Sequence, residues 1–139
     1  MKNIVRVEDL ERKELRDGMG HVEGEFWEVF TKATVSTEAL RLLVQWYPPG
    51  GYTRNHPVHN DFEQAYYVVS GTMTVFLNEE KYTAPAGTFV FIPRGTPHYH
   101  QNDGDEPMVF LTINVPVREG SVPPLPARDE DLVSGEGAA

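Results

Sequence analysis

The chain has 139 residues, a size at which one domain buries its own core without disulfides or metals as staples. It has no cysteine, so any bound metal must be held by the nitrogen or oxygen donors of His, Asp, Glu or Gln. The net charge of −9, with scattered Lys and Arg, argues against a nucleic-acid partner, and no apolar run approaches the roughly 20 residues of a membrane span, so we expect a soluble, cytoplasmic protein.

The first 24 residues mix charged side chains with a few apolar ones. We interpret them as an N-terminal arm in which residues 1–16 form an edge strand followed by a short helical turn. From residue 25 the pattern changes to short β-rich runs, and residues 26–31 and 40–47 predict the first two clear strands. In the second run Leu43 and Gln45 share one face with Tyr47, while Val44 and Trp46 take the other. Both faces are partly apolar, as is typical of a barrel wall.

Turn residues divide the rest of the chain into further short strands. Pro-Pro-Gly-Gly at residues 48–51 ends the second strand, and strands are predicted over residues 62–69, 72–77, 81–83, 88–92, 98–102 and 108–115. Roughly eight strands at this spacing indicate an all-β sandwich or barrel, and no repeat period competes. We place the barrel at residues 25–116. The proline-rich, acidic segment 117–139 is expected to be an extended or disordered tail.

Four of the five histidines form two close pairs: His56 with His59, and His98 with His100. Residues two apart on a strand leave the same face, so His98 and His100 should point the same way. Gln64 shares a strand face with Tyr66, and closure of the barrel could bring these side chains together with the histidines. The pattern suggests a metal site. His21 is isolated, and we interpret it as an ordinary surface or core residue.

The second histidine pair stands in a specific motif. The pattern runs Gly, five residues, Pro, one residue, Gly, two residues, His, three residues, Asn, and the chain meets it at Gly87, Pro93, Gly95, His98 and Asn102. In this the sequence resembles the cupins. The resemblance implies a double-stranded β-helix, or jelly-roll barrel, that holds a metal ion on side chains inside it.

The first cupin motif is met only in part. The family pattern has a Gly, then His-x-His, then a Glu, then a second Gly, and His59 and Gly71 fit it. Pro57 stands where the first histidine would be, so the neighbouring histidine takes that place in the implied set. Gln64 stands at the carboxylate position, whereas Glu63 is one residue early and would face the other side of its strand. The implied metal ligands are therefore His56, His59, Gln64 and His98, with Glu63 as the alternative to Gln64.

We expect one divalent metal ion per chain, Zn or Fe first, with Ni, Co, Mn and Cu left open because imidazole suits them all. A neutral amide in place of a carboxylate leaves the full charge on the ion, which favours Lewis-acid chemistry on a carbonyl or enol. His100 and Tyr66 are candidates for moving protons, although His100 could equally be a fourth ligand or face outward. The predicted inward faces make an aromatic pocket with Gln45, Tyr47, Tyr66, Phe76, Phe110, Thr112 and Asn114.

Three functions stay open from the sequence. Small cupins include polyketide cyclases and quercetinase-like dioxygenases, so the resemblance supports a cyclase or isomerase acting on a small oxygenated, aromatic or polyketide-like substrate, and also a dioxygenase. The third function is a non-catalytic module that binds a small ligand. We favour a metal-dependent enzyme, because an open, histidine-rich site generally serves chemistry. The resemblance also implies a homodimer in which the N-terminal strand can pair with the partner subunit's sheet edge.

Overall fold

The computed structural model describes residues 3–15, 21–54 and 58–117. Within these ranges the chain forms eleven strands, one short helix, α1 (Lys32–Val35), and one 3-10 turn (Val7–Asp9). The strands are β1 (Lys13–Glu14), β2 (His21–Val22), β3 (Glu25–Phe30), β4 (Arg41–Tyr47), β5 (Tyr52–Thr53), β6 (Phe62–Ser70), β7 (Thr72–Leu77), β8 (Glu80–Pro85), β9 (Phe89–Ile92), β10 (His98–Gln101) and β11 (Met108–Pro116). Among the described residues, no helix has the length and apolar character needed to cross a membrane.

Two antiparallel sheets form the body of the molecule. The strand order is β1-β3-β4-β11-β6-β9 in one sheet and β2-β5-β10-β7-β8 in the other. The non-sequential neighbours are those of a jelly roll, and the predicted all-β class is confirmed. Each long strand lies within about two residues of its predicted position, since alternation and turn residues mark the same boundaries. The predicted N-terminal arm supplies β1 to one sheet and β2 to the other.

The elements of this N-terminal segment occur in the opposite order to the prediction. The 3-10 turn at Val7–Asp9 comes first, and the edge strand follows at Lys13–Glu14. The strand forms there because Lys13 is opposite Phe26 in the register with β3, and its ammonium also reaches Glu28. The earlier residues have no strand beside them within the described part of the chain.

Inward-facing side chains change from apolar to polar along the central strands. On β11, Met108, Phe110 and Thr112 are buried, while Asn114 is only partly buried. The neighbouring strands continue these rows: Gln45 and Val68 flank Phe110, Leu43 and Tyr66 flank Thr112, and Arg41 and Gln64 flank Asn114. One end of the barrel is thus filled by core side chains, and the other end is open and polar.

Phe76 does not line the interior, and that prediction is wrong. The inward face of β7 carries Met73 and Val75, which belong to the buried core. Phe76 lies on the other face and stacks on Tyr99 of β10, with ring centroids 4.3 Å apart. Because neighbours on a strand alternate between faces, an outward Tyr99 sends both histidines of β10 inward, where they are buried. The prediction that they share one face is confirmed, and an outward-facing His100 is excluded.

The hairpin between β6 and β7 turns at Gly71, whose φ of 74° lies in the left-handed region. A Cβ at this position would lie 3.0 Å from the Cα of Met108, and closer still to the carbonyl oxygen of Pro107. Glycine is therefore needed both for the turn and for the close approach of the strand that follows Pro107.

Candidate metal centre

Two histidines predicted as metal ligands lie side by side at the open end of the barrel. The ring centroids of His59 and His98 are 5.5 Å apart, with the ring planes at 51°. His59 precedes β6 in a loop, and its carbonyl oxygen accepts a hydrogen bond from the backbone N–H of Gly95 at 2.7 Å. Gly95 belongs to the turn that leads into β10, so this backbone contact ties together the two segments that carry the histidines.

The orientation of the His98 ring is fixed by a hydrogen bond at its Nδ1 atom. Nδ1 is 2.8 Å from the carbonyl oxygen of Thr96, and a carbonyl can only accept, so Nδ1 carries the proton. In the neutral ring Nε2 then carries the lone pair, which is the usual arrangement for a metal-binding imidazole.

The surroundings of both imidazoles favour the form that binds metals. Burial lowers the pKa of His98, outweighing the opposite effect of its hydrogen bond to Thr96. Burial also lowers the pKa of His59, and the nearby His98 lowers it further, while Asp61 acts in the other direction. Lowered pKa values favour neutral rings at physiological pH, and only a neutral imidazole can bind a metal ion.

Gln64 projects from the inward face of β6 and is buried. Its Nε2 donates to Oδ1 of Asn114 at 2.9 Å, and its Oε1 accepts from the hydroxyl of Tyr66 at 3.2 Å. These two contacts hold the amide in place. Glu63, the alternative ligand, is exposed on the opposite face of the strand.

The residues present fit a divalent ion in their spacing and in their chemistry. Two imidazoles bound to one ion through nitrogen have ring centroids about 4.5–5.5 Å apart, and the measured separation of 5.5 Å lies at the upper end. Within residues 3–15, 21–54 and 58–117, no three His, Asp or Glu side chains come together to hold a metal. A metal here would therefore draw on the amide of Gln64 and on the predicted ligand His56, which lies outside the described residues.

A cavity of about 370 Å³ opens beside His59 and Gln64, large enough for a small organic molecule. Its apolar walls are Leu15, Phe26, Leu43 and Phe62, and its polar lining is Glu14, His21, Arg41, Gln45, His59, Gln64, Tyr66, Thr112 and Asn114. Most of these residues come from the inward face of the sheet that contains β4, β6 and β11. The polar end of that sheet thus forms the wall of the cavity.

The two residues predicted to move protons lie deeper than the candidate ligands. His100 is buried among the rings of Tyr47, Tyr66 and Phe110, at centroid distances of 4.9, 5.7 and 5.0 Å. Burial raises the pKa of Tyr66 far above the ordinary value, so its phenol stays protonated and donates its hydrogen bond to Gln64. Tyr66 reaches the cavity wall, and His100 packs behind it.

His21 is a functional candidate that the sequence did not reveal. It lines the cavity, and its Nδ1 is 2.6 Å from the hydroxyl of Tyr47. That hydroxyl donates to Gln45, whose amide donates to Thr112 at 2.8 Å, so a chain of hydrogen bonds runs along the cavity wall. No motif surrounds His21, and its position depends on the pairing of β2 with β5, which a single sequence does not disclose.

Comparison with known proteins gives consistent matches. A family model described as a cupin domain matches residues 43–114. An uncharacterized protein of Methanocaldococcus jannaschii is 33% identical over 69 residues, which are 50% of this chain and only 54% of that protein.

Solved structures of similar fold cover more of the chain. A predicted oxalate decarboxylase from Thermotoga maritima has a TM-score of 0.74 and 21% identity, covering 82% of this chain and 99% of its own. The polyketide cyclase RemF from Streptomyces resistomycificus has a TM-score of 0.73 and 21% identity, covering 99% of this chain and 97% of its own. At such identities the likeness shows the fold.

Proposed function

The chain belongs to the cupin family, and we propose that it is a metal-dependent enzyme acting on a carbonyl or enol group of a small oxygenated, aromatic or polyketide-like substrate. The observation that carries this proposal is the pair of imidazoles, His59 and His98, with ring centroids 5.5 Å apart beside a cavity of about 370 Å³. Family members typically bind a metal. A divalent ion held by these rings and by Gln64 supplies Lewis acidity toward a carbonyl or enolate oxygen.

The protein's own residues orient the substrate and the ligands. Tyr66, protonated and buried, holds the amide oxygen of Gln64, and Asn114 holds the amide nitrogen. The flat rings of Phe26 and Phe62 exclude water from one part of the cavity, while Thr112 and its neighbours offer hydrogen bonds to substrate oxygens. This combination of apolar walls with a few fixed polar groups suits a planar, oxygenated molecule.

Proton transfer at the substrate is assigned to histidine. His21 lines the cavity, and the hydrogen-bond chain through Tyr47 and Gln45 fixes its ring. His100, the proton-transfer candidate from the sequence, lies behind Tyr66 and is not among the described residues that line the cavity, so His21 takes this role in the proposal. The fold shared with RemF over almost its whole length makes cyclisation the first reaction to test.

The first experiment is metal content by plasma mass spectrometry on untagged protein. We expect about one divalent ion per chain in the wild type, loss of the ion in His98→Ala, and at least about tenfold weaker binding in Gln64→Ala. Glu63→Ala is the matched control, because it alters the neighbouring side chain on the outward face and should keep the ion. No ion after loading, or full retention in His98→Ala, would refute the metal centre.

The second experiment separates the three functions. Metal-loaded protein is incubated with aromatic and polyketide-type ketones, in air and under nitrogen, and substrate loss and oxygen uptake are followed. Turnover without oxygen supports the cyclase or isomerase. Oxygen uptake that tracks metal content identifies the dioxygenase instead, and saturable binding without turnover identifies the ligand-binding module.

A further inference from the structure

A row of polar side chains extends across the cavity wall from the candidate metal centre. Arg41 on β4, Asn114 on β11 and Gln64 on β6 are directly opposite one another in the sheet register, and all three line the cavity. Because adjacent strands are about 4.8 Å apart, the Cα atoms of Arg41 and Gln64 are separated by about 10 Å. A guanidinium group therefore stands on one side of the cavity and the candidate metal centre on the other.

Arg41 belongs to a cluster of three charged side chains, Lys13, Glu28 and Arg41, whose charges sum to +1. Its Nη2 donates to Oε1 of Glu28 at 3.1 Å, and Nζ of Lys13 donates to Oε2 of the same carboxylate at 3.1 Å. These contacts lower the pKa of Glu28, the hydrogen bond from Lys13 being the largest cause, so the carboxylate is ionised at neutral pH. Two cations share one anion, and the cluster is not neutralised internally.

Glu28 positions Arg41 without using all of its donors. A guanidinium carries N–H donors in a planar fork that matches a carboxylate or another oxyanion, and the hydrogen bond to Glu28 is made through Nη2. The side chain of Arg41 is about half exposed, at 49%, so an anion can approach it from the cavity. Its position is thus fixed by one anion while it remains accessible to a second.

The remaining lining of the cavity restricts where an anion can bind. The walls of the same cavity include Phe26 and Leu43, which favour an apolar skeleton in the ligand. Glu14, at the rim, is the other charged lining residue within the described part of the chain, and it repels an anion from its own side. The favourable place for a negative group is therefore beside Arg41.

We propose that Arg41 forms an anion-binding subsite and that the cavity takes a ligand with a carboxylate or phenolate at one end and a carbonyl or enol oxygen at the other. The carbonyl end rests on the proposed function, because it is the end that would meet the metal. The anionic end rests on Arg41 and its cluster alone.

The test uses two probes of equal shape and different charge, para-hydroxybenzoate and para-hydroxybenzamide. Each is titrated calorimetrically into the full chain, without metal and after zinc loading. The wild type should bind the benzoate about tenfold more tightly than the benzamide, as a charge-assisted contact at a partly exposed site provides. In Arg41→Gln the preference should fall to about twofold or less.

Arg12→Gln is the matched control. Arg12 pairs with Glu25 and lies over the ring of Trp46, 4.8 Å from its centroid, so this variant removes the same charge away from the cavity. It should keep the preference for the benzoate. Glu28→Gln removes the competing carboxylate and should keep or increase the preference.

Equal affinity of the wild type for the two probes overturns the proposal, as does absence of binding at millimolar concentration or a preference that survives Arg41→Gln. Zinc content is measured on the same samples, and Arg41→Gln should match the wild type because Arg41 is not a proposed ligand. A wild-type chain that binds no metal refutes the proposed function, while the metal-free titrations still decide on Arg41.

Discussion

Replacing Gly71 by alanine should destabilise the barrel through two separable effects. The φ of 74° is unfavourable for any residue with a Cβ and costs about 1 kcal/mol. The added methyl group would also lie 3.0 Å from the Cα of Met108 and nearer still to the carbonyl oxygen of Pro107. Both are backbone atoms, and Met108 is completely buried at the start of β11, so relief requires moving a central strand.

The size of the second effect follows from a comparison with Gly87. Gly87 has a similar φ of 88°, but a Cβ there meets no atom of the described residues within 4 Å. Gly87→Ala should therefore cost at most about 1 kcal/mol, since alanine also restricts the unfolded chain. Gly71→Ala adds the displacement of packed backbone, about 1–3 kcal/mol, for a total of about 2–4 kcal/mol.

Urea unfolding followed by tryptophan fluorescence measures both variants against the wild type. Trp27 and Trp46 lie on β3 and β4 and report on the sheet that contains β11. A lower urea midpoint for Gly71→Ala, with an unchanged dependence of the unfolding free energy on urea concentration, would show a loss of stability without a change in the unfolded state. A difference between the two variants of less than about 0.5 kcal/mol would refute the close-approach argument, because the dihedral effect is common to both.

Three further predictions concern polar contacts between side chains or with the backbone. Asn102→Ala should lose about 2–4 kcal/mol in urea unfolding, because Asn102 donates to two backbone carbonyls at 3.1 and 2.8 Å; a loss under about 1 kcal/mol would contradict this. The hydrogen bond from Lys13, with a further one from Arg41, lowers the pKa of Glu28 from its ordinary value. The stabilisation from these contacts is therefore present above that ordinary pKa and is lost as pH falls through the lowered one. Glu28→Gln should thus be less stable than the wild type by at most about 1 kcal/mol at pH 7, and the gap should close on acidification; a gap that stays constant with pH would count against the argument. Tyr66→Phe keeps the ring but removes the hydroxyl that holds Gln64, so the protein should bind the metal at least about tenfold more weakly. Unchanged affinity in a zinc titration would exclude this positioning role.

Much of the fold could be predicted because it is encoded locally. Turn residues and period-two alternation mark the strands, and the motif containing His98 and Asn102 fixes which family the barrel resembles. Alternation also predicts that His98 and His100 share one face, and that Glu63 lies on the face opposite to Gln64. The predicted metal ligands, the identity of the metal, the domain boundaries and the homodimer stay predictions.

Other features depend on contacts between distant segments. Alternation shows which residues share a face with Phe76, but it does not show which face of the strand points to the interior. The apolar Met73 and Val75 on the other face were the signal that could have identified the inward face. Arg41 reaches the candidate site through the register of β4 with β11. His21 reaches it through a two-residue strand in which it pairs with Thr53, 32 positions further along the chain, and no local pattern marks such a pairing.

The alternation along β10 also restricts how this chain can change in length. His98 and His100 face the interior, whereas Tyr99 and Gln101 face outward. A deletion of one residue that shifted β10 by one position against β7 would exchange the two sets and turn both imidazoles away from the interior. Changes of length in this strand therefore keep both imidazoles inside only when they preserve the alternation, that is, when residues are added or removed in pairs.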